Sequence, residues 1–175
     1  MRIMLDTNVI ISALLFSSKR MNDMMDYIFT QHQLVLSSYV VEELKSVVKR
    51  KFPAKEYAIE KLLMVMSYEY VYTPKKMDET LFNIRDCKDY PVLYTAIIED
   101  VDILITGDKD FSDVNIEKPE IITPGEFIEK YISNIFIEKF TNHNKRRHRY
   151  EHRRKHKIIS AVPEKQQTRK SIGNG

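Results

Sequence analysis

Short apolar runs alternate with longer stretches of helical apolar spacing along most of the chain. Arg2 to Leu5 is a brief apolar run that stops at the polar Asp6-Thr7-Asn8, the pattern of a buried strand ending in a turn. Val9 to Phe16 and Met21 to Phe29 carry helical spacing and are separated by Ser17-Ser18. Gln33 to Leu36 reads as a second strand, after which Ser37 or Ser38 can cap a helix. In that helix Val40, Val41, Leu44, Val47 and Val48 line one face, and Pro53 ends it. A further helix is expected from Ala54 to Met66, then a β-rich segment from Tyr68 to Thr73 before Pro74. Pro91 to Glu99 is helical in pattern, Val101 to Thr106 is an apolar strand closed by Gly107-Asp108, and Glu120 to Thr123 is a weaker strand. Pro124 starts a last helix running from Gly125 into the 130s. Strands alternating with helices predict an α/β domain around a largely parallel sheet flanked by helices.

That domain is expected to span residues 1–138, because the composition changes just after it. The whole chain of 175 residues carries a formal charge of +3, yet Lys139 to Gly175 holds 12 Lys/Arg against 2 Asp/Glu. The first 138 residues therefore carry 16 against 23, an acidic body followed by a basic tail. Asn142 to Lys157 contains eight Lys/Arg, four of the five histidines and almost nothing apolar, so it is expected to be a frayed helix or disordered. Lys145, Arg146, Arg147, Arg149, Arg153 and Arg154, with Lys155 and Lys157, are candidates for neutralising RNA phosphates. His148, His152 and His156 share a helical face, but the surrounding Arg and Lys would repel a cation, so no metal stripe is assigned there. A lone cysteine, Cys87, excludes an internal disulfide and a thiolate zinc cluster and points to a reducing compartment. No apolar stretch approaches the ~20 residues a bilayer span needs. Asp6 and Asn8 break up the apolar N-terminus, which argues against a signal peptide, so a cytoplasmic location with no membrane partner is expected.

In open α/β sheets, ligands gather at the carboxyl ends of the strands. Asp6 ends the first strand, Asp108 follows the Val101 to Thr106 strand, Glu43 lies one turn into a helix, and Asp89 stands at the start of another. Each has a plain alternative. Asp6 and Asp89 can be helix caps, Glu43 a solvated residue beside Glu42, and Asp108 and Asp110 turn formers after Gly107. Brought together, four carboxylates would repel one another unless a cation lay between them, and oxygen ligands of this kind suit Mg²⁺ or Mn²⁺.

The order of these residues resembles the four motifs of the PIN family, most closely its VapC-like bacterial and archaeal branch of toxin components of toxin–antitoxin modules. Met4 to Val9 is similar to the first motif, Ser38 to Leu44 to the second, Arg85 to Leu93 with Ala96 to the third, and Ile105 to Phe111 to the fourth. The likeness covers about residues 1–135 and implies a three-layer PIN-like fold with a central sheet. It further implies a metal-dependent endoribonuclease, in which Asp6, Asp89 and Asp108 bind Mg²⁺ or Mn²⁺ and Glu43, rather than Glu42, completes the pocket. Asp86 is an accessory acid, and Asn8, Thr106 and Asp110 are candidates for orienting the ligands. The partners implied are an RNA substrate, a cognate antitoxin and a second copy of the chain. All four acidic positions are filled, which weighs against the alternative of a catalytically silent PIN-fold module that binds RNA or protein. A phosphatase of the haloacid dehalogenase type also opens on a strand ending in aspartate, but it needs an acid where Asn8 stands.

Overall fold

The apolar N-terminal run forms β1 (Arg2–Leu5), whose Ile3, Met4 and Leu5 are fully buried at the centre of the sheet. The computed structural model describes residues 1–16 and 18–133, and a compact unit spans Met1–Ile132. After β1 come α1 (Thr7–Leu15), α2 (Lys19–Gln31), β2 (Gln33–Ser37), α3 (Ser38–Lys51), α4 (Glu56–Val65) and β3 (Glu69–Val71). They are followed by α5 (Tyr90–Ile98), β4 (Ile103–Ile105), β5 (Glu120–Ile122) and α6 (Pro124–Phe127), the last continuing as a π-helical turn over Ile128–Ser133. The basic tail and its histidines, with all the RNA contacts nominated there, lie outside the described residues, as does Ser17.

The strands form one five-stranded sheet in the order β3-β2-β1-β4-β5, and every neighbouring pair is parallel. The sheet is thus wholly, not merely largely, parallel. Consecutive buried residues in β1, β2 and β4 are what a sheet covered by helices on both faces requires. No helix among the described residues is long and apolar enough to cross a membrane.

The predicted elements all form, with boundaries set by local caps. Ser37, rather than Ser38, caps α3, its Oγ accepting from the Val40 N–H at 3.2 Å. Ser38 instead accepts from the Thr73 N–H at 3.0 Å, linking the start of α3 to the segment after β3. Thr123 and Glu126 form a reciprocal capping box around Pro124, which explains the start of α6. The turn out of α5 is also well defined. Val101 N–H bonds Ala96 O at 2.9 Å and Asp100 N–H bonds Ile97 O at 3.0 Å, the paired C-terminal closure in which one residue goes left-handed. Here that residue is Asp100, with φ 51°. Val101 and Ala96, both fully buried, pack in the hydrophobic core and aim the chain into β4.

Two features of this order position the site. The sheet grows outward from β1 in one direction through β2 and β3, then in the other through β4 and β5. Ligands in such sheets bind where the order reverses, beyond the carboxyl ends of the two central strands. Leu5 is also in register with Ile105, so the next residues, Asp6 and Thr106, leave the sheet side by side.

Candidate active site

Asp6 is the best-buried acid of the site, at 6 % exposure. It caps α1 by accepting from the Val9 N–H at 2.7 Å through Oδ1. Its other oxygen accepts from the Thr106 hydroxyl, and Thr106 Oγ1 in turn accepts the Asp108 N–H at 3.0 Å. A chain of hydrogen bonds therefore joins the ends of β1 and β4 and holds Asp6 and Asp108 near each other. Asp108 caps the turn that follows, Oδ1 accepting from the Asp110 N–H at 2.9 Å. The plain reading of Asp6 as a helix cap and of Asp108 as a turn former is thus correct for one oxygen of each. It does not compete with a metal role, since a carboxylate oxygen carries further lone pairs.

Asp89 behaves differently. It occupies the cap position of α5 but makes no side-chain bond to the helix, so its carboxylate is not spent on capping. The carboxylate oxygens of Asp86, Asp89 and Asp110 come within 4.8 Å of one another. Burial, and then the negative charges of Asp108, Asp86, Asp110 and Asp6, push Asp89 up to about 6. Burial likewise raises Asp6, helped by Asp108 and Glu43 and opposed by the bonds from Thr106 and Val9. Both shifts have the sign expected when carboxylates share a confined space without a counter-ion.

Glu43 is exposed on α3, and it reaches the site through Thr7, whose hydroxyl donates to Glu43 Oε2. That contact distinguishes Glu43 from the adjacent Glu42. Of the residues nominated for orienting ligands, Thr106 is bonded to Asp6, and Asp110 stands inside the tightest acidic group. Asn8 is exposed and lines a cleft of about 460 Å³ with Ser12, Arg85, Asp108, Lys109 and Asp110, among others, instead of bonding a carboxylate.

Sequence reasoning missed three participants. Thr7 lies within the first motif, and its polarity at a buried position was the available signal. Arg85 Nη2 lies 2.6 Å from Asp110 Oδ1. Tyr39 donates its hydroxyl to Lys88 O at 2.9 Å, which ties the Asp86–Asp89 loop to the start of α3. No sequence pattern announces a contact between residues 49 apart. Tyr39→Phe is expected to lower stability by at most about 1 kcal/mol, the value of one hydrogen bond. Its larger effect should be a looser Asp86–Asp89 loop, and hence weaker binding of any divalent cation held by that acidic group. Calorimetric Mn²⁺ titration of the variant checks this, and unchanged affinity would show that the loop holds itself.

Three tyrosines lie in and beside β3. Tyr68 packs against the core, whereas Tyr70 and Tyr72 are exposed and meet edge to face at 5.2 Å. Met24 and Met25 are buried, while Met21 is half-buried beside the cleft.

No curated protein is similar enough to the chain to count as a match. Among solved structures, the chain resembles one in the complex described as VapBC2 from Rickettsia felis bound to a DNA fragment from their promoter. The TM-score is 0.55 at 18 % identity, over 70 % of this chain and 97 % of the other. At that identity the likeness speaks for the fold. The family profile described as PIN domain matches residues 2–110, which include Asp6, Glu43, Asp86, Asp89, Asp108 and Asp110. With that profile matching well over half of the sequence, and an all-parallel sheet whose central strands lead into Asp6 and Asp108, the chain belongs to the PIN domain family.

Proposed function

We propose that this chain is a divalent-metal-dependent endoribonuclease that hydrolyses RNA phosphodiester bonds, and that it is the toxin of a toxin–antitoxin pair. The observation that carries the catalytic part is the gathering of Asp6, Asp86, Asp89, Asp108 and Asp110 beyond the ends of β1 and β4, with Asp89 pushed up to about 6. Such a group fits a hard divalent cation. It offers only oxygen donors, it is short of positive charge, and Asp89 is free of any capping bond. Asp86, Asp89 and Asp110 would hold an ion together, with Asp6 and Asp108 beside them and Glu43 closing the pocket. A divalent ion in this setting supplies Lewis acidity and an activated water for in-line displacement at phosphorus.

The chain's own residues set the frame for that chemistry. Thr106 fixes the direction of the Asp6 carboxylate, and Thr7 does the same for Glu43. Tyr39 holds the Asp86–Asp89 loop against α3. The cleft between α1 and the Gly107–Asp110 segment leaves room for a strand of nucleic acid to approach. Support for the toxin part comes from the likeness in fold to a chain of the VapBC2 complex. That part of the proposal carries with it a cognate antitoxin as protein partner. It is tested by expressing the chain alone and together with the small protein encoded beside it. Growth arrest that the neighbour relieves supports the assignment, and healthy growth with abundant soluble protein removes it.

The nuclease itself is tested by incubating varied RNAs with the purified protein in EDTA, Mg²⁺ and Mn²⁺. Cleavage only with a metal, and no turnover of a generic phosphate monoester, is the expected outcome. Protein that binds RNA but leaves it intact in saturating Mn²⁺ would instead be a silent binding module.

The raised Asp89 carboxyl yields a prediction with a definite sign. Its folded-state value of about 6 lies above the roughly 3.9 of an unfolded aspartate. The metal-free fold therefore loses stability as pH rises from about 4 to about 6, because over that range the unfolded chain has released a proton that the native state still holds. Mn²⁺ binding near pH 6 should release protons, and its affinity should rise with pH and level off above about 7. Calorimetry in two buffers of different ionisation enthalpy reads the proton count directly. Equal heats in both buffers at pH 6 would exclude Asp89 as a ligand.

A further inference from the structure

Resting on the ribonuclease proposal, we infer that Arg85 is the residue that grips the RNA phosphodiester backbone in the cleft, and that its ion pair with Asp110 stores it there until metal is bound. Arg85 Nη2 is 2.6 Å from Asp110 Oδ1, yet its side chain is 74 % exposed while that of Asp110 is 16 % exposed. A guanidinium so placed is held at its tip and free along its length. It therefore sits on the surface of the cleft rather than within the acidic group. The lining also carries neutral hydrogen-bonding groups: Asn8 and Ser12 lie one turn apart on α1 and face the same space. Arg85 and Lys109 are the cationic residues of that lining.

The electrostatics give Arg85 two partners and one charge. RNA must bring a line of phosphates past at least five aspartates, on a domain whose first 138 residues carry 16 Lys/Arg against 23 Asp/Glu. Repulsion on that scale needs a cation positioned on the substrate side. Before metal enters, Asp110 is the strongest partner Arg85 can reach. With Asp110 engaged by a divalent cation alongside Asp86 and Asp89, its charge is shared and its hold on the guanidinium weakens. Arg85 then swings from a carboxylate to a phosphodiester, two partners whose paired oxygens match the same planar fork. Lys109, a point charge on the neighbouring turn, adds attraction without that geometry. One residue thus offsets repulsion within the acidic group before metal binds and helps to admit substrate once metal is held.

The test separates Arg85 from the proposal beneath it. Binding of a fluorescent single-stranded RNA oligonucleotide is measured by anisotropy with Ca²⁺ in place of Mn²⁺, with a gel run alongside to verify intact RNA. Mn²⁺ affinity without RNA is measured separately by calorimetry. Arg85→Ala should weaken RNA binding about tenfold to a hundredfold, the range for one charge-assisted contact. The slope of log affinity against log salt should fall by about 0.7, one phosphate contact on a single strand. Mn²⁺ should bind as tightly or more tightly, because a competing cation has gone. In cleavage assays the loss should appear chiefly in KM, and Arg85→Lys should recover part of it. Unchanged RNA affinity and salt slope in Arg85→Ala would overturn the inference. So would a variant whose Mn²⁺ affinity and Tm fall while its RNA affinity is retained, since Arg85 would then be only a brace for the loop. Wild-type protein that neither binds nor cuts RNA would overturn the ribonuclease proposal itself, and this inference with it.

Discussion

Asp6→Asn is expected to lower metal-dependent RNA cleavage by at least about a thousandfold, roughly 4 kcal/mol of transition-state stabilisation. The amide keeps the shape of the side chain and can still accept the Val9 N–H, so α1 retains its cap. What disappears is the negative charge next to Asp108 and Glu43. The same change should raise the Tm of the metal-free protein at neutral pH. Burial holds the Asp6 carboxyl above its ordinary range, so its ionised form opposes folding at any pH above the unfolded value. The gain should shrink as pH falls and vanish below the roughly 3.9 of an unfolded aspartate, where the wild-type carboxyl is protonated in both states. Thermal stabilisation by Mn²⁺, expected in wild type, should be much reduced in the variant. Gain of stability with loss of activity is the pattern of a residue kept for function at a cost to the fold. A variant that cuts RNA at the wild-type rate would remove Asp6 from the mechanism.

Phe127→Ala should be the most damaging single change to the fold, costing about 3–5 kcal/mol. Its side chain is fully buried although it belongs to a helix of only four residues, α6. The ring stacks at a tilt on Tyr131, with centroids 5.0 Å apart, and faces Tyr27 of α2 at 6.3 Å. It is therefore the plug that fastens the segment after β5 to α2. Truncation leaves a cavity that two neighbouring rings cannot fill without moving. Against the 5–15 kcal/mol typical of a domain, that loss is a large share of total stability. Urea denaturation measures it, and a change below about 1.5 kcal/mol would mean that α6 contributes little to the core. Pro124, in the same helix, lines the cleft, so the folded fraction of the variant should also bind RNA less tightly.

How much of this was legible in the sequence depends on whether the cause is local. Every strand and helix was predictable because apolar spacing, caps and prolines act within a few residues. Thr123-Pro124-Gly125-Glu126 carries its own helix-start signal, and the apolar run Ile103-Leu104-Ile105 reads as a buried strand, as both are found here. Boundaries moved by a residue or two where a side chain had two possible partners. Ser37 and Ser38 show this, one taking the helix and the other Thr73.

The candidate site divides along the same line. Asp6, Glu43, Asp89 and Asp108 could be nominated from the sequence, Asp6 and Asp108 because they follow strands of a parallel sheet, and Glu43 and Asp89 through the resemblance of their motifs. Their geometry could not. That Asp89 makes no capping bond, that Asp86 and Asp110 join it within 4.8 Å, and that Arg85 lies against Asp110 all depend on where a loop and a turn meet in space. The same holds for Tyr39 reaching Lys88 across 49 residues. The sequence by itself determined the elements, their class and the chemistry of the acids, since these follow from side-chain type and short-range spacing. Only the tertiary structure decided which acids share a space, how they repel, and which cation lies against Asp110. Those properties arise between segments far apart in the chain, brought together by the register of β1 against β4.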